Sequence, residues 1–429
     1  MLALLLALQG AVSPQTSDSL PQITLADALQ RAAQLDPNYV AALGQVDNAV
    51  WARRSAFAVF VLPSVSVTTD ISRPNPPSVN FVTFKPVRTQ VLSQLNARYD
   101  LFTGGQKVAE LTRSAAALDG AHAGELAARF ATALLTESDY YAVLADRELA
   151  RVTQDRLRRA RQGVSVARAR VQSGAAVQTD SLQFLLEQNR AQVGALQQEA
   201  ALRESRLQLG RRVGAAGPVD AEPLDTVLMA ELPLPLADAI AQAADQGPQY
   251  RVARANERAA RASFRARLGD YLPHASLTLN ALAFDTTFFP KDFKRTTLAL
   301  SLSFPIWDNG RRELALSEAR VSRDVAHAVR ADMDRAVLHD VTAAYDAYVT
   351  ARATYVLAVQ GLAVARENYR VQDARYRSGS TTILDILDSQ LGLSQAEADL
   401  VQARYGTRLA LAGLEAILGR RLFTDKDTP

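Results

Sequence analysis

The sequence predicts a mainly α-helical fold that carries a membrane β-barrel, built from two tandem repeats of helix–strand–strand–long helix–helix. Three observations predict it. Proline is absent between Pro86 and Pro218 and again from Ile306 to Thr428, and both runs are rich in Ala, Leu, Arg, Glu and Gln, strong helix formers. Four short segments alternate apolar and polar residues with period two, as strands with one apolar and one polar face do. Five anchors recur in the same order in the two halves of the 429-residue chain, which marks a duplication.

The anchors are these. The segment Thr24–Tyr39 aligns with Pro235–Tyr250, and Leu62-Pro63 with Leu272-Pro273. Phe102-Thr-Gly104-Gly105 aligns with Trp307-Asp-Asn-Gly310, Ser173-Gly174 with Ser378-Gly379, and Leu209-Gly-Arg-Arg212 with Leu418-Gly-Arg-Arg421. The expected organisation is a signal peptide over 1–13, a first repeat over 14–213, a linker over 214–235, a second repeat over 236–421 and a tail over 422–429.

Composition narrows the function. The chain is 48% apolar, with 48 Lys and Arg against 45 Asp and Glu, which suits a folded protein. It has no cysteine, so disulfides, thiolate metal sites and a cysteine nucleophile are excluded. Its arginines are scattered among carboxylates, as in Arg156-Leu-Arg-Arg-Ala-Arg161, which fits solvated helix faces better than a nucleic-acid footprint. His122, His274, His327 and His339 lack metal-ligand spacing, and no phosphate loop, dinucleotide motif or nucleophile elbow occurs, so no cofactor and no enzyme is expected. The apolar run Met1–Leu8 is too short to span a bilayer, and Ala11 and Ser13 sit where a signal peptidase reads small residues. Membrane insertion therefore has to use strands.

In order along the chain, Thr24-Leu-Ala-Asp27 opens a short helix with a capping box, and a second helix runs from about Asn38 to Val61. Strands follow over about 64–72 and 88–102, with Val65, Val67, Thr69 and Ile71 on one face of the first. Val91, Leu95, Ala97, Tyr99 and Leu101 share a face of the second, while Leu92 and Ser93 break its pattern. A helix from Gly104 to Gln172 would be about 100 Å long at 1.5 Å per residue. The second repeat offers strands over about 274–284 and 296–306, joined by a loop with Phe288-Phe-Pro-Lys-Asp-Phe293. Its long helix carries a heptad seam stepping by fours and threes from Val337 through Val341, Tyr348, Tyr355 and Leu362 to Tyr369.

Two helical tips lie over 171–180 and 376–388. Gly174 and Gly379 suit the left-handed residue that ends a helix, and Thr382-Ile-Leu-Asp385 suits the capping box that starts the next. Four amphipathic strands cannot close a barrel, so several copies must share one; three copies give twelve strands. The competing reading is a non-transporting coiled-coil scaffold of the envelope, in which the alternating segments are only loops.

The duplicated plan, Tyr99-Asp-Leu-Phe-Thr-Gly-Gly105, Phe304-Pro-Ile-Trp-Asp-Asn-Gly310 and Tyr376-Arg-Ser-Gly-Ser-Thr-Thr-Ile-Leu-Asp-Ile-Leu-Asp388 together resemble the TolC-like outer-membrane efflux proteins across essentially the whole mature chain. The resemblance implies a trimeric 12-stranded barrel in the outer membrane, continuous with a helical tunnel across the periplasm. It implies the exit duct of a tripartite efflux pump or type I secretion system, partnered by a periplasmic adaptor and an inner-membrane pump. It implies that Asp385 and Asp388 form carboxylate rings narrowing the entrance, although both also suit a helix N-terminus as dipole partners. Tyr376 matches a tyrosine that holds the closed state by hydrogen bonding, with Asp180, the repeat counterpart of Asp385, as acceptor. Thr381 stands where the best-known relative has Arg, so one closing ion pair is absent. Gly174, Ala175, Val177, Ser378, Gly379 and Ser380 are the implied adaptor contacts, and Gly104, Gly105 and Gly310 mark the strand-to-helix junctions.

Overall fold

The computed structural model describes residues 20–79, 84, 86–224, 231–285 and 293–423. The expected signal peptide, the loop over 286–292 and the end of the tail lie outside them.

The first repeat comprises β1 (Gln22–Ile23), α1 (Leu25–Leu35), α2 (Pro37–Val61), β2 (Ser64–Ser72), the two-residue strands β3 (Ser78–Val79) and β4 (Pro86–Val87), β5 (Gln90–Thr103), α3 (Gln106–Gln172) and α4 (Gln178–Arg212). β6 (Asp220–Ala221) falls in the stretch expected to be a linker, and it pairs in parallel with β1. The second repeat comprises α5 (Leu236–Gln246), α6 (Pro248–Gly269), β7 (His274–Asp285), β8 (Phe293–Ser303), α7 (Arg311–Ser378) and α8 (Ile383–Leu418). Thr24 caps α1 through its side chain, and Asp36 accepts from the Asn38 and Tyr39 amides to cap α2.

β2, β5, β7 and β8 form one antiparallel sheet in the order β2-β5-β7-β8. The register puts Val67, Leu95, Ala281 and Thr296 in one cross-strand row, and Val65, Ala97, Leu279 and Leu298 in the next on the same face. The opposite face carries the row Ser66, Asn96, Asn280 and Thr297. Most of the apolar face is bare, Val67 being 70% exposed and Leu300 69%, while Val91 at its loop end is buried. Ser93, irregular in the sequence pattern, lies opposite Thr69 on this face, and the two hydroxyls share a hydrogen bond of 3.1 Å. Two hydroxyls that satisfy each other lower the cost of polarity on an apolar face. β8 runs from 293 to 303 where 296–306 was expected: it starts earlier because residues 293–295 pair with 282–284 of β7, and it ends earlier because Pro305 has no amide to donate to a ladder. β2 and β8 are open edges.

Both repeats bury a core where the short helix packs beside the middle of the long ones. Ile23, Ala28, Tyr140, Leu144, Leu209 and Ala221 form the first, and Ala239, Ala243, Tyr250, Val341, Leu414 and Leu418 the second. The heptad seam is on the packed side of α7: Val337, Val341, Tyr348 and Leu362 are buried, and Ala344, Ala351, Tyr355 and Tyr369 are half-buried. From these cores α3–α4 and α7–α8 descend as two hairpins, joined where α3 packs on α8. Among the described residues no helix is long and apolar enough to cross a membrane.

Candidate functional site

The two hairpins end at tips built from the same plan with different chemistry. Gly174 and Gly379 take φ of +74° and +82°, a region open to glycine at no steric cost. Each is followed by a backbone bond that closes the turn, Ala175 N to Arg170 O and Ser380 N to Arg375 O, both 2.8 Å. There the likeness stops. At the second tip Thr382 Oγ1 accepts from the Asp385 amide at 3.3 Å, while Asp385 Oδ2 accepts from the Thr382 amide at 3.1 Å. That is the full capping box. At the first tip the equivalent position is Val177, 64% exposed, and α4 begins without a side-chain cap.

Thr381 takes part in the box. Its hydroxyl donates to Asp385 Oδ2 at 2.8 Å, and the Thr382 hydroxyl lies 2.7 Å from the same oxygen. The hydrogen bonds from Thr382 and Thr381 hold the Asp385 carboxyl below its usual range. Thus Thr381 reinforces the carboxylate that begins α8. Asp388 is exposed one turn further along the same helix.

Tyr376 is buried, 2% exposed, in a cluster with Val164, Ala167, Phe184, Ile383 and Ile386. Its ring meets Phe184 edge-on at 5.6 Å. The implied hydrogen bond to Asp180 is not made within one copy: the Tyr376 hydroxyl has no hydrogen-bond partner among the described residues. The ring is instead held from the other side by Arg170, whose guanidinium lies over it at 4.6 Å. Burial chiefly, and then the negative charge of Asp180, push the Tyr376 phenol up.

Arg170 was not marked by sequence reasoning. Its Nη1 donates to the Tyr376 carbonyl at 2.5 Å and its Nη2 to the Ala175 carbonyl at 3.1 Å. One guanidinium therefore ties the first tip to the second. A basic residue in the last turn of a helix is the only signal the sequence offered, and it is satisfied by many solvated arginines. Higher up the same seam Arg159 of α3 reaches Glu397 and Ser394 of α8, each at 3.1 Å, and Arg404 pairs with Glu148 at 3.0 Å. Ser378 bonds Arg375 O and Ser380, and Ser380, Ala175 and Val177 are exposed at the extreme ends.

At the other end of the helices, Gly105 and Gly310 are the N-cap residues of α3 and α7. Gly104 packs so closely on Gly269 that a side chain there would overlap the Gly269 carbonyl.

The pattern of the outer membrane efflux proteins matches residues 28–215 and 239–420, one span in each repeat. The chain belongs to the outer membrane efflux protein family. Among relatives, the pyoverdine export outer membrane protein OpmQ of Pseudomonas putida is 28% identical over 299 residues, covering 67% of this chain and 62% of that protein. Protein CyaE of Bordetella pertussis is 30% identical over 126 residues, 29% of this chain and 27% of that one. The chain thus spans less than two thirds of either relative's length. The crystal structure of the Campylobacter jejuni CmeC outer membrane channel superposes with a TM-score of 0.79 at 14% identity, over 94% of this chain and 87% of that one. The fold is that of these outer-membrane channels: a barrel sheet continuous with a helical tunnel.

Proposed function

We propose that three copies of the chain form the exit duct of a tripartite efflux pump or type I secretion system. Each copy gives four strands to a closed 12-stranded barrel in the outer membrane, and its long helices form a periplasmic tunnel. One observation carries this reading: a sheet with two open edges and a bare apolar face runs directly into helices about 100 Å long by their 1.5 Å rise. Lipid is the environment in which a bare apolar face is stable, and lipid requires the edges to be closed. The face with Ser66, Asn96, Asn280 and Thr297 then lines a water-filled lumen.

The tips are the periplasmic gate. Three copies of Asp385 and Asp388 around one axis attract cations and repel each other, and Tyr376, Thr381 and Asp180 shape the ends that carry them. Gly174, Ala175, Val177, Ser378, Gly379 and Ser380 present the surface for a periplasmic adaptor, through which an inner-membrane pump delivers cargo. The test is reconstitution of the purified protein in a planar bilayer. Stepwise conductance is expected, with cation selectivity that falls in the double variant Asp385→Ala, Asp388→Ala. Absence of conductance overturns the duct; unchanged selectivity overturns the gate.

A further inference from the structure

The polar face of the sheet changes character at its loop end, the end far from the helices. Nearest the helices its cross-strand rows are polar or small: Asp100, Ser276 and Ser301, then Ser64, Arg98, Thr278 and Ala299, then the row of Ser66 and Asn96. The next row holds Thr68, Gln94, Leu282 and Arg295. The last holds Asp70, Leu92 and Phe284, with Phe293 at the following register position on β8.

This register explains why Leu92 breaks the alternation of β5. It stands directly opposite Phe284, and Leu282 is two residues along β7 on the same face. Leu92, Leu282 and Phe284 are half-buried, so each keeps surface open to the lumen side. Serine or threonine, used in the rows nearer the helices, would be free of the cost of apolar surface facing water. A contiguous apolar patch rimmed by polar residues marks a place of contact.

Two kinds of contact are open to such a patch in a pore wall. Apolar residues can close a narrow lumen by dewetting it, or they can touch what passes through a wide one. Barrel width decides between them. An eight-stranded barrel is just filled by its inward side chains, and diameter grows about linearly with strand number. A twelve-stranded barrel is thus about half as wide again, and side chains line it without filling it. Dewetting is excluded on that width, and contact with cargo remains. The charges beside the patch do not favour either sign: Asp70 lies opposite Leu92 and Arg295 opposite Leu282. What the patch offers is apolar surface and the ring of Phe284, on which a flat group can stack.

We infer that Leu92, Leu282 and Phe284 form a cargo-contact site in the lumen wall at the outer mouth, which takes a neutral, flat apolar group such as an aromatic ring. The contact is one-sided, so it is short-lived and lets cargo leave. The inference rests on the proposed duct and adds a binding site within it and the class of group that it takes.

The experiment uses single channels of the full chain in a planar bilayer. The probe is a hexapeptide alternating Trp and Gly with both ends blocked, and the control is its Ser–Gly counterpart. Brief current blocks are expected with the Trp peptide and none with the Ser peptide. Phe284→Ser should shorten the blocks about tenfold, as expected for losing an aromatic contact, with open conductance little changed, and Phe284→Tyr should restore them. Leu92→Ser, on the neighbouring strand, should shorten them too and covers the case in which Phe284→Ser fails to assemble. The inference is overturned if both peptides block alike, or if both serine variants leave block lifetimes unchanged. It is also overturned if Phe284→Ser alone raises open conductance severalfold, which would make the patch a closure. Conductance without Trp-selective blocks sinks the contact site alone, whereas absence of conductance sinks the duct and the site with it.

Discussion

Replacing Arg170 by Ala should part the two tips of each copy. The guanidinium over the Tyr376 ring at 4.6 Å is half-buried, so the cation–π contact contributes about 1 kcal/mol. Its 2.5 Å bond to the Tyr376 carbonyl is charge-assisted and part-buried, worth about 1.5 kcal/mol. The bond to Ala175 is exposed and adds little. The sum, about 2.5 kcal/mol, is about a 60-fold change in an equilibrium between joined and parted tips. Hydrogen exchange should read it as faster exchange at the end of α7 and the start of α8, with no change in the two repeat cores. Reconstituted channels should open correspondingly more often. Arg170→Lys keeps the charge but loses the planar fork, and should fall between. Wild-type exchange at the tips together with wild-type opening in Arg170→Ala would refute the assignment of Arg170 as the tie.

Tyr376→Phe tests the same cluster from the other side. Because the hydroxyl is buried without a hydrogen-bond partner among the described residues, its removal should leave stability unchanged or raise it by up to about 1 kcal/mol in thermal unfolding of the assembled protein; a loss of that size would reveal a partner beyond them. Asp385 has a lowered folded pKa, so its support of α8 is complete above the ordinary carboxylate value and disappears as pH falls through the lowered one. Exchange in the first turn of α8 should therefore quicken only below about pH 4, and Asp385→Asn should flatten that dependence. Gly379→Val places a β-branched residue at φ +82° and should cost about 1–2 kcal/mol at the tip while trimers still assemble; adaptor-dependent export should be lost, and retained export would count against tip docking. Gly104→Ala forces the α3 and α6 ends apart and should cost about 1–3 kcal/mol, seen as a lower melting temperature.

How much could be read in the sequence depended on whether a feature was periodic. The seam through Val337, Val341, Tyr348 and Leu362 announces itself because a packed helix must repeat its apolar residues, and those residues are buried. The strands were legible for the same reason, with β8 ending early where Pro305 stops its ladder. Ser93 was opaque, since its partner Thr69 lies 24 residues away across the sheet. The tips were half legible. Turn glycines and the Thr382–Asp385 box are local, whereas Arg170 meets Tyr376 from 206 residues away and carries no periodic mark. Thr381 was legible only as the lack of an arginine's charge; that its hydroxyl joins the cap of α8 could not be read from its position.

α3 is one uninterrupted helix from the strand junction at Gly105 to the tip at Gln172. Such a rod is a lever. With an arm of about 100 Å, a tilt of about 3° at the close Gly104–Gly269 contact carries the far end through about 5 Å. On the gate proposed above, widening at the entrance needs no melting of helix, only a small rotation at the strand end and release of the Arg170 tie. Substitutions at the strand end of the helix can on this geometry shift the tips as strongly as substitutions within them.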